Sequence, residues 1–155
     1  MSDKIAYPNA PALPGIRSRF ADNGNGLTMH YLEAGDPKAP LILLLHGFPE
    51  LAYSWRKVMP ALAEAGYYVV APDQRGYGRT IGWDPRYDGN LADSRVLNLV
   101  RDVMGLLSAL DRRTAHAVVG HDFGAMVAAW AALLRPDVFQ RCCIMSAPFA
   151  GPPSL

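Results

Sequence analysis

The eleven residues Val119 to Ala129, VGHDFGAMVAA, constrain the fold more than any other stretch of the 155-residue chain. They set one carboxylate, Asp122, between Gly120 and Gly124, after the apolar run 115–119 and before an Ala-rich helical pattern over 123–134 that ends at Arg135-Pro136. That order reads as a strand, a sharp turn and a helix. A turn this tight holds its central residue in a strained backbone conformation. Its neighbours must be small because the helix start returns close to the strand end. A carboxylate displayed at such a bend is a candidate covalent nucleophile. The alternative is a carboxylate that caps the following helix, a common use of Asp.

Two further motifs follow predicted strands. His46-Gly47-Phe48-Pro49-Glu50 comes directly after Leu41 to Leu45, a continuous apolar run expected of a central parallel strand. Asp73-Gln74-Arg75-Gly76-Tyr77-Gly78-Arg79-Thr80 comes after a strand expected over 67–71 and lies in a long Gly- and Pro-rich loop, 72–90. Upstream, Arg19 to Asp22 and Leu27 to Glu33 read as a β-hairpin joined through Asn23-Gly24-Asn25-Gly26. A helix is expected over 53–65, closed by Gly66, with Pro60 kinking or dividing it. The clearest helix spans 92–110, where Val96, Val100, Val103, Leu106, Leu107 and Leu110 recur at helical spacing, and a last strand is expected over 141–146. Strands alternating with helices imply right-handed crossovers and a mostly parallel α/β sheet. In such sheets chemistry sits beyond the carboxyl ends of the strands, and Phe48, Asp73 and Asp122 each follow one. Residues 1–16, rich in Pro, Ala and Gly, read as a flexible N-terminal arm, which leaves 17–155 for the core domain.

Hydrophobic residues make up 50% of the chain and charged ones 19%, the balance of a soluble globular domain. A net charge of +1 gives no electrostatic case for nucleic acid or an anionic membrane, and Arg112-Arg113 reads as a solvated helix end. The two cysteines, Cys142 and Cys143, are neighbours on a predicted strand and point to opposite faces, which argues against a disulfide between them. They read as buried residues in a reducing compartment, and no Cys/His spacing implies a metal. No signal-like or membrane-spanning run is evident, so a cytoplasmic location is expected.

HGFP and GHDFGA together resemble the α/β-hydrolase superfamily, and within it the Asp-nucleophile branch of epoxide hydrolases and haloalkane dehalogenases. The stretch 73–80 resembles the loop after strand four in epoxide hydrolases. The resemblance runs from about Ser18 to the C-terminus. It implies an α/β-hydrolase fold, a mostly parallel sheet with flanking helices. It also implies a reaction in which Asp122 opens an epoxide to an alkyl-enzyme ester, which water then hydrolyses to a diol. The backbone N–H groups of Phe48 and Phe123 would form the oxyanion hole; packing in a core or pocket is the other role open to their rings. His46, Gly47, Pro49, Gly120 and Gly124 would shape the site. Pro49 resembles the family's cis-proline, against the commoner trans form. His46 invites a reading as general base, but that position in the family holds the loop by hydrogen bonds. His121 is expected to pack, His30 and His116 have no evident partner, and Trp55 and Trp83 are expected in the core or at the surface, with a pocket wall as the alternative.

The residue after the nucleophile bears on the substrate. Haloalkane dehalogenases generally carry Trp there and fluoroacetate dehalogenases tend to carry Arg, whereas Phe123 has no side-chain donor for a halide. Phe123 and Glu50 favour epoxide opening over halide displacement. The family's order is nucleophile, acid, then His, but His30, His46, His116 and His121 all precede Asp122. Asp137 is the one acidic residue after it and reads as a local cap. No residue therefore matches the water-activating His, its acid partner or the lid tyrosines. The resemblance covers the N-terminal half of such an enzyme, lacking the lid and the last two strands. Its apolar sheet edge would be open to self-association. These residues alone are expected not to turn over. A haloalkane dehalogenase-like hydrolase and a non-catalytic fragment or interaction module are the alternatives. No cofactor is implied; the expected partner is a small molecule with an electrophilic carbon, with no nucleic acid or membrane.

Overall fold

Leu41 to Leu45 forms the centre of a six-stranded sheet in the computed structural model, which describes residues 13–149 and Gly151. The strands are β1 (Ile16–Asp22), β2 (Thr28–Ala34), β3 (Leu41–Leu45), β4 (Tyr68–Pro72), β5 (Ala117–His121) and β6 (Cys142–Met145), in the order β1-β2-β4-β3-β5-β6. β1 pairs with β2 and β2 with β4 antiparallel, while β4, β3, β5 and β6 run parallel. The hairpin expected from Asn-Gly-Asn-Gly is present, with Gly24 and Gly26 at φ 64° and 80°, the left-handed conformation such a turn requires. Its first strand begins at Ile16, opposite Ala34, so residue 16 belongs to the sheet, while residues 1–12 of the expected arm lie outside the described residues.

Alternate residues of β3 feed two cores, as the two-residue strand period dictates. Leu41, Leu43 and Leu45 pack under α2 (Val96–Ala109) and α3 (Phe123–Leu134), whereas Ile42 and Leu44 face Trp55 and Met59 on the other side. Trp55 is thus a core residue, and Trp83 is half-buried against the first core. Pro60 divides the helix expected over 53–65: a 3-10 turn runs Ala52–Lys57, and α1 (Met59–Glu64) starts afresh with Pro60 in its first turn. The N–H that proline lacks is not needed there. The helix expected from 92 starts later. Asn90 caps a 3-10 turn, Leu91–Ser94, and Arg95 is extended at ψ 147° before α2 begins. No helix among the described residues is long and apolar enough to cross a membrane, and none of their His, Cys, Asp and Glu side chains cluster as a metal site.

Two expectations are corrected. Cys142 and Cys143 are free and exposed rather than buried, because β6 is an edge strand that pairs only with β5 among the described residues. Arg112 is not a solvated helix end. Its guanidinium hydrogen-bonds to the carbonyls of Pro37 and Ala39 and lies 5.6 Å from the Tyr68 ring centroid.

Candidate active site

β5 delivers its last residue, His121, to the carboxyl edge of the sheet, and the chain turns at once into α3 through Asp122, at φ 53° and ψ −121°. This is a backbone conformation that non-glycine residues adopt only under constraint from their surroundings. Here the Asp122 N–H donates to the Met145 carbonyl of β6 at 3.0 Å, and its carbonyl accepts from Ala125 N at 2.9 Å. The side chain makes no helix-capping hydrogen bond. Instead its Oδ1 accepts from the Phe48 amide at 3.0 Å. The amides of Phe48 and then Phe123 hold its carboxyl below the ordinary carboxylate range, so the group is ionised at neutral pH.

Close backbone approaches explain the small residues around it. A Cβ on Gly120 would lie 2.1 Å from the Gly124 carbonyl oxygen, and one on Gly124 would lie 2.3 Å from that of Leu45. A Cβ on Gly47 would meet the Asp122 Cβ at 2.5 Å. Gly124→Ala is therefore expected to cost about 1–3 kcal/mol by overpacking. It also pushes α3 away from β3, which a lowered urea midpoint would register.

The loop after β3 is fixed from beneath by the loop after β4. Fully buried His46 accepts from Gln74 N through Nε2 at 3.0 Å, which leaves Nδ1 to donate to the Gly47 carbonyl at 2.9 Å. Gln74 Nε2 also donates to the His46 carbonyl at 2.6 Å. Burial pushes the imidazole pKa down, and both ring nitrogens are engaged, so His46 holds the loop and is not poised as a base. The Phe48–Pro49 peptide is cis, as the family resemblance implied. Asp73, 3% exposed, accepts from the amides of Ala52 at 2.9 Å and Arg79 at 3.0 Å and from His30 Nδ1 at 2.7 Å. Burial alone would raise its pKa, but the bonds from His30, Arg79 and Ala52 outweigh it and keep the carboxyl ionised. Asp73 thus lies at the same sheet edge as Asp122 and is walled in by protein.

His121 does not merely pack: its Nδ1 lies 3.1 Å from Glu50 Oε2, joining the elbow to the loop after β3. His30 is bonded to Ser18 and Asp73, and His116 stacks on Tyr67 and meets Arg141, so each has a partner that sequence reasoning missed. The carboxylate of Asp137, expected to cap locally, forms an ion pair with Arg135 at the exposed turn. The rings of Phe48 and Phe123 are 64% and 57% exposed and form pocket walls rather than core. With Tyr77, Leu99, Met126 and Val127 they line an open cleft of about 410 Å³. A second hollow of about 380 Å³, lined by Asp122, Trp130 and Phe149 among others, lies across Phe123 and Met126. Sequence reasoning did not assign Tyr77, Met126 and Trp130 to the site. Tyr77 stood within a recognised loop motif and was the one findable signal; its ring meets His46 edge-on at 5.0 Å.

The profile of the family described as alpha/beta hydrolase fold matches residues 40–155. The chain belongs to this family. It is 45% identical over 126 residues to Epoxide hydrolase A of Mycobacterium tuberculosis, covering 80% of this chain and 37% of that protein. It is 37% identical over 143 residues to AB hydrolase superfamily protein YfhM of Bacillus subtilis, covering 88% and 45%. Among solved structures, epoxide hydrolase I of potato (Solanum tuberosum) superimposes with a TM-score of 0.80 at 42% identity, covering 88% of this chain and 41% of that one. An epoxide hydrolase from an endophytic Streptomyces gives 0.78 at 46%, covering 88% and 38%. Over the shared stretch this is an epoxide hydrolase-like alpha/beta hydrolase, and it spans less than half the length of these relatives.

Proposed function

We propose that Asp122 is the nucleophile of an epoxide-opening site, with the amides of Phe48 and Phe123 as its oxyanion hole. The observation that carries this reading is the 3.0 Å hydrogen bond from Phe48 N to Oδ1 of a carboxylate held at φ 53° between strand and helix. The oxygen held by the amide is the one that becomes the ester carbonyl, and the other is free to attack. Attack forms a carbon–oxygen bond to Asp122 and breaks one epoxide C–O bond. The ring oxygen takes a proton from solvent water, which leaves as hydroxide, to become a hydroxyl. Hydrolysis then needs a base that activates water against the ester carbonyl, with charge developing on the oxygen facing the two amides and the positive end of α3.

Among these 155 residues none matches the family's water-activating His or its acid partner, and such a base contributes roughly 10²–10⁴-fold. The expected behaviour is a half-reaction: one equivalent of epoxide adds to the chain and stays. The test is intact-mass spectrometry after exposure to an aryl-substituted epoxide, followed over hours alongside diol release. A persistent single adduct that peptide mapping places on Asp122, without diol beyond one equivalent, supports the reading. Absence of any adduct removes the nucleophile, and multiple turnovers of diol show that another group here activates water. Epoxide opening is favoured over halide displacement because the residue after Asp122 is Phe123, which offers a halide no side-chain donor.

A further inference from the structure

Running from the end of β4 across β2 to the outer strand β1, three side chains line up that the reaction above does not use. We propose that Ser18 is a second covalent site on this chain: an exposed serine hydroxyl activated by His30 and Asp73, reactive toward acyl and phosphonyl electrophiles.

Ser18 and Phe20 lie on β1, and the register sets Phe20 opposite His30 of β2. His30 is 4% exposed, and Asp73 at the end of β4 is 3% exposed. Their Nδ1 and Oδ2 atoms are 2.7 Å apart, and His30 Nε2 is 2.8 Å from Ser18 Oγ. Asp73 is already an acceptor for two backbone amides, so it receives the imidazole bond as an acceptor too. That fixes the tautomer. Nδ1–H donates to Asp73, and Nε2 is left to accept the serine proton. These are the roles by which a serine nucleophile, its base and the group orienting that base are recognised on any fold. A buried carboxylate behind the ring also stabilises the imidazolium that forms when the proton moves.

Access is on the other side. Ser18 is exposed, and Phe20, 51% exposed, stands beside it with its ring centroid 5.1 Å from that of His30, a ledge for an alkyl or aryl group. β1 is four strand steps from β5 in the sheet order, roughly 19 Å at the usual spacing. The site is therefore separate from Asp122 and stands or falls independently of it.

An alkyl fluorophosphonate probes it directly. Ser18 Oγ forms a bond to phosphorus, the P–F bond breaks, fluoride leaves with the electron pair, and His30 Nε2 takes the hydroxyl proton. Arg17 and Arg19 flank Ser18, so the adduct is mapped with a glutamate-specific protease rather than trypsin. Three other exposed serines, Ser54, Ser94 and Ser108, are controls within the same molecule. At pH 8, Ser18 is expected to label about 10²-fold faster than those three. Labelling is expected to vanish in Ser18→Ala and to fall to the control level in His30→Gln. Where His30→Gln fails to fold, the comparison within the unaltered chain still decides. Labelling of Ser18 no faster than Ser54, Ser94 and Ser108 overturns the proposal.

Discussion

Asp122→Asn is expected to abolish ester formation with an epoxide. The amide keeps the side-chain shape and an oxygen for the Phe48 N–H, so the elbow stays intact while the nucleophilic oxygen is lost. Exposed Cys142 and Cys143 are competing nucleophiles, and a bare mass gain does not separate a thioether from an ester. Acidity does. Partial desolvation by its surroundings, with Cys143 alongside, pushes the Cys142 thiol above its ordinary value, so little thiolate is present at pH 6. Asp122 goes the other way. Amide hydrogen bonds favour its charged form, so it stays ionised at pH 6 and below the usual carboxylate range. Labelling attributable to Asp122 should thus be level from neutral pH down to pH 5, whereas thiol labelling falls steadily. At pH 6 in a Cys142→Ser, Cys143→Ser background, the adduct should be complete with Asp122 in place and undetectable once Asp122→Asn is added; alkali should release it. An adduct that survives Asp122→Asn places the chemistry elsewhere.

The largest stability effect is expected from Asp102→Ala, about 3–5 kcal/mol. Asp102 sits on the inner face of α2, 2% exposed. Arg75 grips both of its oxygens, at 2.7 Å each, and Asn23 and Asn25 donate to Oδ1 at 3.1 and 2.7 Å. One carboxylate thus ties the helix to the hairpin turn and to the loop after β4. Truncating it leaves the Arg75 guanidinium, 7% exposed, buried without its counter-ion. The control is Asp84→Ala, whose pair with Arg86 is at the surface and is expected to move stability by no more than about 0.5 kcal/mol. Urea midpoints at pH 7 compare the two. Because Arg75 and Tyr77 line the cleft beside Phe48, Asp102→Ala should also slow labelling of Asp122 in whatever fraction remains folded. Equal midpoints for the two variants would falsify the view that this network anchors the loop.

Features encoded locally were legible in the sequence. Leu41 to Leu45 and the helix 123–134 appear residue for residue, because an unbroken apolar run and a Gly-flanked turn each carry their own signal. The hairpin was announced by its glycines, and the break at Pro60 by the N–H that residue lacks. The cis Phe48–Pro49 peptide was expected from family resemblance rather than from any physical signal in the residues. What stayed hidden were polar pairs distant in sequence. His30 and Asp73 are 43 residues apart, Arg75 and Asp102 are 27, and Glu33 accepts from Tyr68 35 residues on. Periodicity reports which face of an element is apolar, but says nothing of which buried polar group meets which. The cysteines failed for a related reason. Apolar spacing predicts a buried strand only where both sides of it are covered, and an edge strand has one covered side at most.

The most direct measurement is a crystal structure of the chain after reaction with an epoxide. The expected result is a single covalent bond from the Asp122 carboxylate to a substrate carbon, with the remaining carboxyl oxygen still within hydrogen-bond reach of the Phe48 amide. An unmodified Asp122, with the epoxide carbon on Cys142, Cys143 or another side chain, would contradict it.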